Sequence, residues 1–294
     1  MNTGIFYSIV ASVLFSLLPA YLQLLPPIHS FVVIGQRIIW TIIIMSIFLI
    51  VTRQLKTSLL PLSKAKNWPG LIAGSLLIGS MWGLFVWAPL NGETLSVALG
   101  FFLAPLVLVL IGLIGFKDRL NSLQWLATIV ATIAVASSVW KTGQFSWIAL
   151  AIAAGYSLYF VIRRIQPIPV ISAFFIENIL LLPLALWACI VYGEVAHPFS
   201  FEPSLLLMFF GLALLGTTGM LCFLAANKRL SFVLFGLLAY LEPLFIFLVA
   251  ITLIGEKIRP GEGLTYILIC VAICILGLDG LRHLLKDNES IDEK

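Results

Sequence analysis

The chain has 294 residues, 61% hydrophobic and 10% charged, with a net charge of +4 at neutral pH. An ordinary soluble domain carries about 25% charged residues, so this composition leaves too little polar surface for a water-soluble fold of this size. It calls for lipid as the outer solvent, and the small positive charge reads as membrane topology rather than affinity for nucleic acid.

Crossing about 30 Å of hydrocarbon takes about 20 mostly apolar residues. That ruler places spans near 3–25, 30–52, 69–90, 94–115 and 122–140, then near 145–162, 169–192, 203–225, 231–254 and 261–281. The breaks carry turn or charge signals: Pro26-Pro27, Asn91-Gly92, Lys141-Thr142-Gly143 and Pro167-Ile168-Pro169. The first run lacks a basic leader and a small-residue cleavage site, so it reads as a membrane helix rather than a signal peptide. With a cytoplasmic N-terminus, thirteen Lys and Arg lie in inside segments against Lys141, Lys257 and Arg259 outside, with one arginine left within a span. That asymmetry fits the positive-inside rule and puts both termini in the cytoplasm.

Two landmarks repeat at one interval. Pro105 and Pro243 are 138 positions apart, and so are Asp118 and Glu256. The expected fold is therefore all-α and polytopic, with ten transmembrane helices in two five-helix repeats, 1–141 and 142–285, and a polar cytoplasmic tail at 286–294. Five is odd, so the second repeat is inverted relative to the first. Inverted repeats are the mark of secondary transporters, with the substrate near the midplane at their interface. Pro105 and Pro243 are candidate kink or gating positions, since each removes a backbone hydrogen bond.

The order of local motifs resembles a known family. The stretches are Gln36-Arg37-Ile38-Ile39-Trp40-Thr41, Trp82-Gly83-Leu84-Phe85-Val86-Trp87-Ala88, Asn91-Gly92, and Leu99 to Leu106 with Ala104-Pro105 inside it. Gln124-Trp125-Leu126-Ala127, Glu177 to Pro183 and Leu278-Asp279-Gly280-Leu281 complete the set. Over roughly residues 4 to 282 the chain resembles the EamA-type drug/metabolite transporters, and within them the RarD subgroup, the chloramphenicol-sensitivity permeases. It departs from the subgroup at Phe15-Ser16, Ala104 and Glu242. The resemblance implies export of a small amphipathic metabolite or drug across the bacterial inner membrane, with proton coupling and no cofactor.

Charges within lipid are costly and mark partners or pathways, and the spans hold three: Arg37, Glu177 and Glu242. Arg37 and Glu177 stop at similar depths, their Cα heights differing by about 6–10 Å, so a breakable pair lining a central cavity is one reading. A permanent structural pair, or an Arg37 that snorkels to the surface, is the other. Glu177 and Glu242 are the proton-coupling candidates, with Glu242 alternatively bonding backbone freed by Pro243. Trp40, Trp82, Phe85, Tyr156 and Tyr159 are the candidate aromatic wall, the two tyrosines sharing a helix face; such a wall suits planar solutes, cations among them through ring faces. Trp68, Trp125, Trp140 and Trp147 read as interfacial anchors, and Gly70, Gly74, Gly79 and Gly83 as a close-packing seam. Thr217, Thr218 and Gly219 are either cavity-lining or local. His29, His197 and His283 lie in loops or ends, and no zinc, Walker or cysteine-cluster motif is present, which argues against catalysis and metal binding. The expected partners are a small-molecule solute and the bilayer; a membrane scaffold or an intramembrane enzyme is the alternative.

Overall fold

In hydrocarbon every backbone polar group must be satisfied within the segment, so long apolar runs become helices. The computed structural model describes residues 2–90, 93–142, 146–193, 198–249, 252–253, 264 and 267–279. Asn91-Gly92, Gly143, Glu256, Gly280-Leu281 and the tail lie outside them. The helices are α1 (Asn2–Leu22), α2 (Ser30–Val51), short α3 (Leu55–Leu59), α4 (Trp68–Leu90), α5 (Thr94–Ile114) and α6 (Ser122–Thr142). Then come α7 (Trp147–Ile165), α8 (Val170–Gly193), α9 (Pro203–Arg229), α10 (Phe232–Leu238) and α11 (Leu241–Val249), followed by α12 (Ile267–Asp279). No strand occurs among the described residues.

Eight segments are long and apolar enough to cross a membrane, counting α10 and α11 together as Phe232–Val249. Among the described residues eight of the expected ten thus meet that length, and α6 and α12 do not. The apolar stretch of α6 among the described residues is Ser122–Ser137, and within it Thr128, Thr132 and Ser137 bond carbonyls of their own helix. The described part of α12 is likewise too short.

The ninth segment departs from the expected continuous helix. It breaks at Ala239 and Tyr240 and restarts at Leu241, so Glu242 lies in the first turn of a new helix. Pro243 is tolerated there, where backbone N–H groups have no partner one turn back. Pro105, by contrast, lies inside an unbroken α5, so only one of the two prolines accompanies an interruption.

Helix packing follows a pattern. The contacts of α1 with α9 and of α4 with α7 stand beside those of α5 with α7 and α1 with α11, and of α2 with α9 and α4 with α8. Two further pairs, α2 with α8 and α5 with α10, close the middle of the bundle. At the second of these, Tyr240 donates to the Phe102 carbonyl at 3.2 Å, across an interval of 138 positions. Gly236 makes the crossing possible: a Cβ there would lie 2.8 Å from Leu108 Cβ and 3.0 Å from the Val109 nitrogen. Gly236→Ala is therefore expected to destabilise by about 1–3 kcal/mol, read as a lower unfolding temperature in detergent, whereas Gly83→Ala meets nothing within 4 Å and should leave it unchanged. The expected four-glycine seam is thus three: Gly70 faces Gln166, Gly74 faces Glu177 and Gly79 faces Leu181, while Gly83 borders open space.

The end of the bundle where α7 and α9 finish is tightly closed. Phe160, Phe223 and Phe235 are buried with ring centroids 4.8–5.2 Å apart. Arg164 donates to the carbonyls of Asn227 and Leu230, and Lys228 donates back to Arg164 and Gln166 at 2.9 and 2.8 Å. Asp118 accepts from the Val233 backbone N–H at 3.0 Å, capping α10. Asp279 accepts from Asn121 and Gln124 at the start of α6. Arg53 and Lys117 take left-handed backbone conformations just past α2 and α5, in the manner of residues that terminate helices.

Candidate functional site

Behind this closed end the titratable side chains form two groups. The first is shut. Glu177, seven residues into α8, has no exposed surface and pairs with Arg163 Nε at 3.3 Å. Tyr159 donates to its other carboxylate oxygen at 2.9 Å, and Ser75 donates to its backbone carbonyl at 3.2 Å. Arg163 also donates to the Gly70 carbonyl at 2.9 Å and to Gln166. Gly74 lets α4 pass directly over the carboxylate, since a methyl there would collide with Glu177 Oε1.

The expected Arg37–Glu177 pair is therefore replaced by Arg163–Glu177. Depth along the membrane permitted both. Arg163 lies on the face of α7 that carries Tyr159 one turn earlier, and the short link to α8 brings that face onto Glu177. Sequence reasoning counted Arg163 only as a loop charge; its four-residue spacing from Tyr159 was the available signal.

The second group is not sealed. Arg37 (α2), Tyr156 (α7) and Glu242 (α11) all lie deep in the bundle yet keep accessible surface. The Tyr156 hydroxyl is within electrostatic reach of both Arg37 and Glu242. The Arg37 guanidinium lies over Trp82, 4.7 Å from the ring centroid, and its other side backs onto Gly216 of α9, where a Cβ would lie 2.7 Å from Nε. One turn on, the hydroxyls of Thr41 and Thr217 meet at 2.8 Å and fasten the same two helices. The Glu242 backbone N–H donates to the Ala239 carbonyl at 3.3 Å, while its carboxylate makes no hydrogen bond or ion pair with a described residue, the backbone beside Pro243 included.

The aromatic residues divide in the same way. Tyr156 continues through Phe101 to Phe85, with centroids 5.5 and 5.9 Å apart. Tyr159 has no exposed surface and belongs with Glu177, so the two tyrosines share a helix face but not an environment. Trp40 packs edge-on against Phe199 and Phe210, and its buried indole N–H has no acceptor among the described residues. Thr217 is taken up by Thr41, and Gly219 packs on the Phe15 ring. Trp68, Trp125, Trp140 and Trp147 are all exposed, Trp140 to 88%. Pro105 is buried against α10, where its carbonyl meets Gly236. Among the described residues no set of His, Cys, Asp and Glu is placed to hold a metal ion.

The chain was compared with known proteins on this basis. It is 38% identical to the chloramphenicol-sensitive protein RarD of Pseudomonas aeruginosa over 287 residues, 96% of each chain. It is 34% identical to an uncharacterized transporter of Pasteurella multocida, covering 97% of this chain and 99% of that one. Protein RarD of Escherichia coli is 31% identical over 95% of each. The chain belongs to the RarD-like transporter family. No family model matches it. One protein crystal structure, 17% identical, shares its fold with a TM-score of 0.71 over 94% of this chain and 97% of its own. Family and fold together make this RarD-like chain a multi-pass bacterial membrane protein and a membrane transporter.

Proposed function

We propose that this RarD-like protein is a secondary transporter that carries a small organic solute by alternating access across the bacterial inner membrane, as a proton-coupled exporter. The observation that carries this reading is that Arg37, Tyr156 and Glu242 keep accessible surface deep in the bundle, with Glu242 just past the break in the ninth segment. Discontinuous helices and unpaired polar groups at depth are the means by which transporters hold substrates and ions. The proposed body has ten spans, α6 and α12 included, in inverted repeats 1–141 and 142–285. Its support is the pairing of helix contacts: exchanging the first five spans with the last five turns α1·α9 into α4·α7, α5·α7 into α1·α11, and α2·α9 into α4·α8. The same exchange maps α2·α8 and α5·α10 onto themselves, as expected of pairs on the axis of an inverted repeat. The basic, closed end faces the cytoplasm. In this arrangement Arg163, Glu177 and Tyr159 act as the cytoplasmic latch, and Phe160, Phe223 and Phe235 as the plug behind it.

Gly216→Ala supplies a first check at the site. Its methyl displaces the tip of a flexible side chain, Arg37, so the unfolding temperature should hold while the solute KM rises severalfold. The broader test uses the purified protein in sealed liposomes with an imposed proton gradient. A panel of metabolites and amphipathic drugs is screened for flux and lumenal pH together. Saturable solute flux that moves protons is expected; saturable flux without proton movement removes the coupling, and no protein-dependent flux for any solute removes the transporter.

A further inference from the structure

An aromatic wall in a membrane cavity suggests cations, because ring faces attract them. Here the face of Trp82 is already occupied. Arg37 lies over it at 4.7 Å and also packs on the bare backbone of Gly216. A second cation reaching this wall meets a fixed positive charge rather than an open ring face.

No described residue pairs with the guanidinium itself. Among the described residues Arg37 makes no ion pair and no hydrogen bond, and its one direct electrostatic partner of note is the Tyr156 hydroxyl. The carboxylate that sequence depth matched to it, Glu177, is committed to Arg163 and Tyr159. Glu242 is within electrostatic reach of Tyr156 and forms no ion pair with Arg37. An Arg has five N–H donors in a planar fork and stays charged in proteins. In a low-dielectric interior such a group is costly until an anion completes it. The ring of Trp82 compensates one face and Gly216 backs the Nε and Nη2 atoms, but neither supplies a negative charge. The aromatic series Tyr156, Phe101 and Phe85 starts at its electrostatic partner.

We propose that the solute carried by this protein is an organic anion, a carboxylate on an aromatic or flat apolar body. Its carboxylate docks on the Arg37 fork and its ring lies along Tyr156 and Phe101. The proposal rests on the transporter reading above and adds the charge of the substrate to it. The two oxygens of a carboxylate match the guanidinium in paired, parallel hydrogen bonds. A neutral amide keeps the shape but not the charge, and an amine reverses it.

Four probes that share one ring separate these cases: 3-phenylpropanoate, 3-phenylpropanamide, 3-phenylpropylamine and phenylalanine. Each is measured in liposomes as the saturable, protein-dependent part of uptake, and in detergent as a shift in unfolding temperature. The carboxylate is expected to be carried and to stabilise the wild type at least tenfold more effectively than the amide or the amine. Arg37→Gln is expected to reduce the carboxylate to the level of the amide, and Arg37→Lys to fall between. Equal or better handling of the amine or amide by the wild type overturns the proposal, as does undiminished carboxylate handling by Arg37→Gln. If Arg37→Gln is not recovered folded, the wild-type order among the four probes decides. Should other solutes of the wider panel be carried while the carboxylate is not, the anion assignment fails and the transporter stands. If nothing is carried, both fall.

Discussion

Arg163→Ala is expected to destabilise the protein by about 3–5 kcal/mol, the usual consequence of leaving one member of a buried ion pair alone. Glu177 has no exposed surface and Arg163 is 3% exposed, so neither charge can turn to water when its partner is lost. The Tyr159 hydroxyl satisfies one carboxylate oxygen but supplies no charge. Removing both charges with apolar residues of similar size, Arg163→Met with Glu177→Leu, should recover most of that loss, since such replacements are often neutral or stabilising. The double variant then separates a structural pair from a latch. A latch holds one end closed, so its removal shifts the population toward the state open at that end. Hydrogen exchange over residues 159–170 should quicken in the double variant although its unfolding temperature is near wild type. Unchanged exchange there would assign the pair to stability alone.

Glu242→Gln is expected to uncouple protons from solute. The side chain sits in the first turn of α11, just after the break at Ala239 and Tyr240, and has no bonded partner among the described residues. Gln keeps its size and hydrogen-bonding reach and removes its capacity to gain and lose a proton. Proton movement accompanying solute should therefore drop at least tenfold, to the level of protein-free liposomes, while solute exchange at equal pH on both sides continues. Retained proton movement would transfer the coupling role to another group.

The sequence made the spans legible because a hydrocarbon thickness sets a length, and most helix ends fall within a few residues of that ruler. It did not make the break in the ninth segment legible. Phe232 to Val249 is apolar throughout, and neither Ala239 nor Tyr240 is a residue that interrupts helices. Only Glu242-Pro243, just beyond, hinted that a new first turn begins there. Counting residues sets the expected depths of Arg37 and Glu177 but not which way they face. Azimuth was not legible, because rotation about each helix axis is decided by packing. Gly74 and the α7–α8 link turn Glu177 toward Arg163, and Gly216 turns Arg37 onto Trp82. Tyr156 and Tyr159 show the same limit, three residues apart on one face yet one partly accessible and one sealed against Glu177.

The most direct test of alternating access is counterflow. Liposomes containing the protein are loaded with millimolar unlabelled 3-phenylpropanoate, or any other solute found to be carried, and diluted into a trace of the labelled form without a proton gradient. A carrier that must return loaded predicts a transient accumulation of label above its external concentration, abolished by Arg37→Gln. Label that only equilibrates, without overshoot and in linear proportion to its concentration, would mean an open pore and contradict the account.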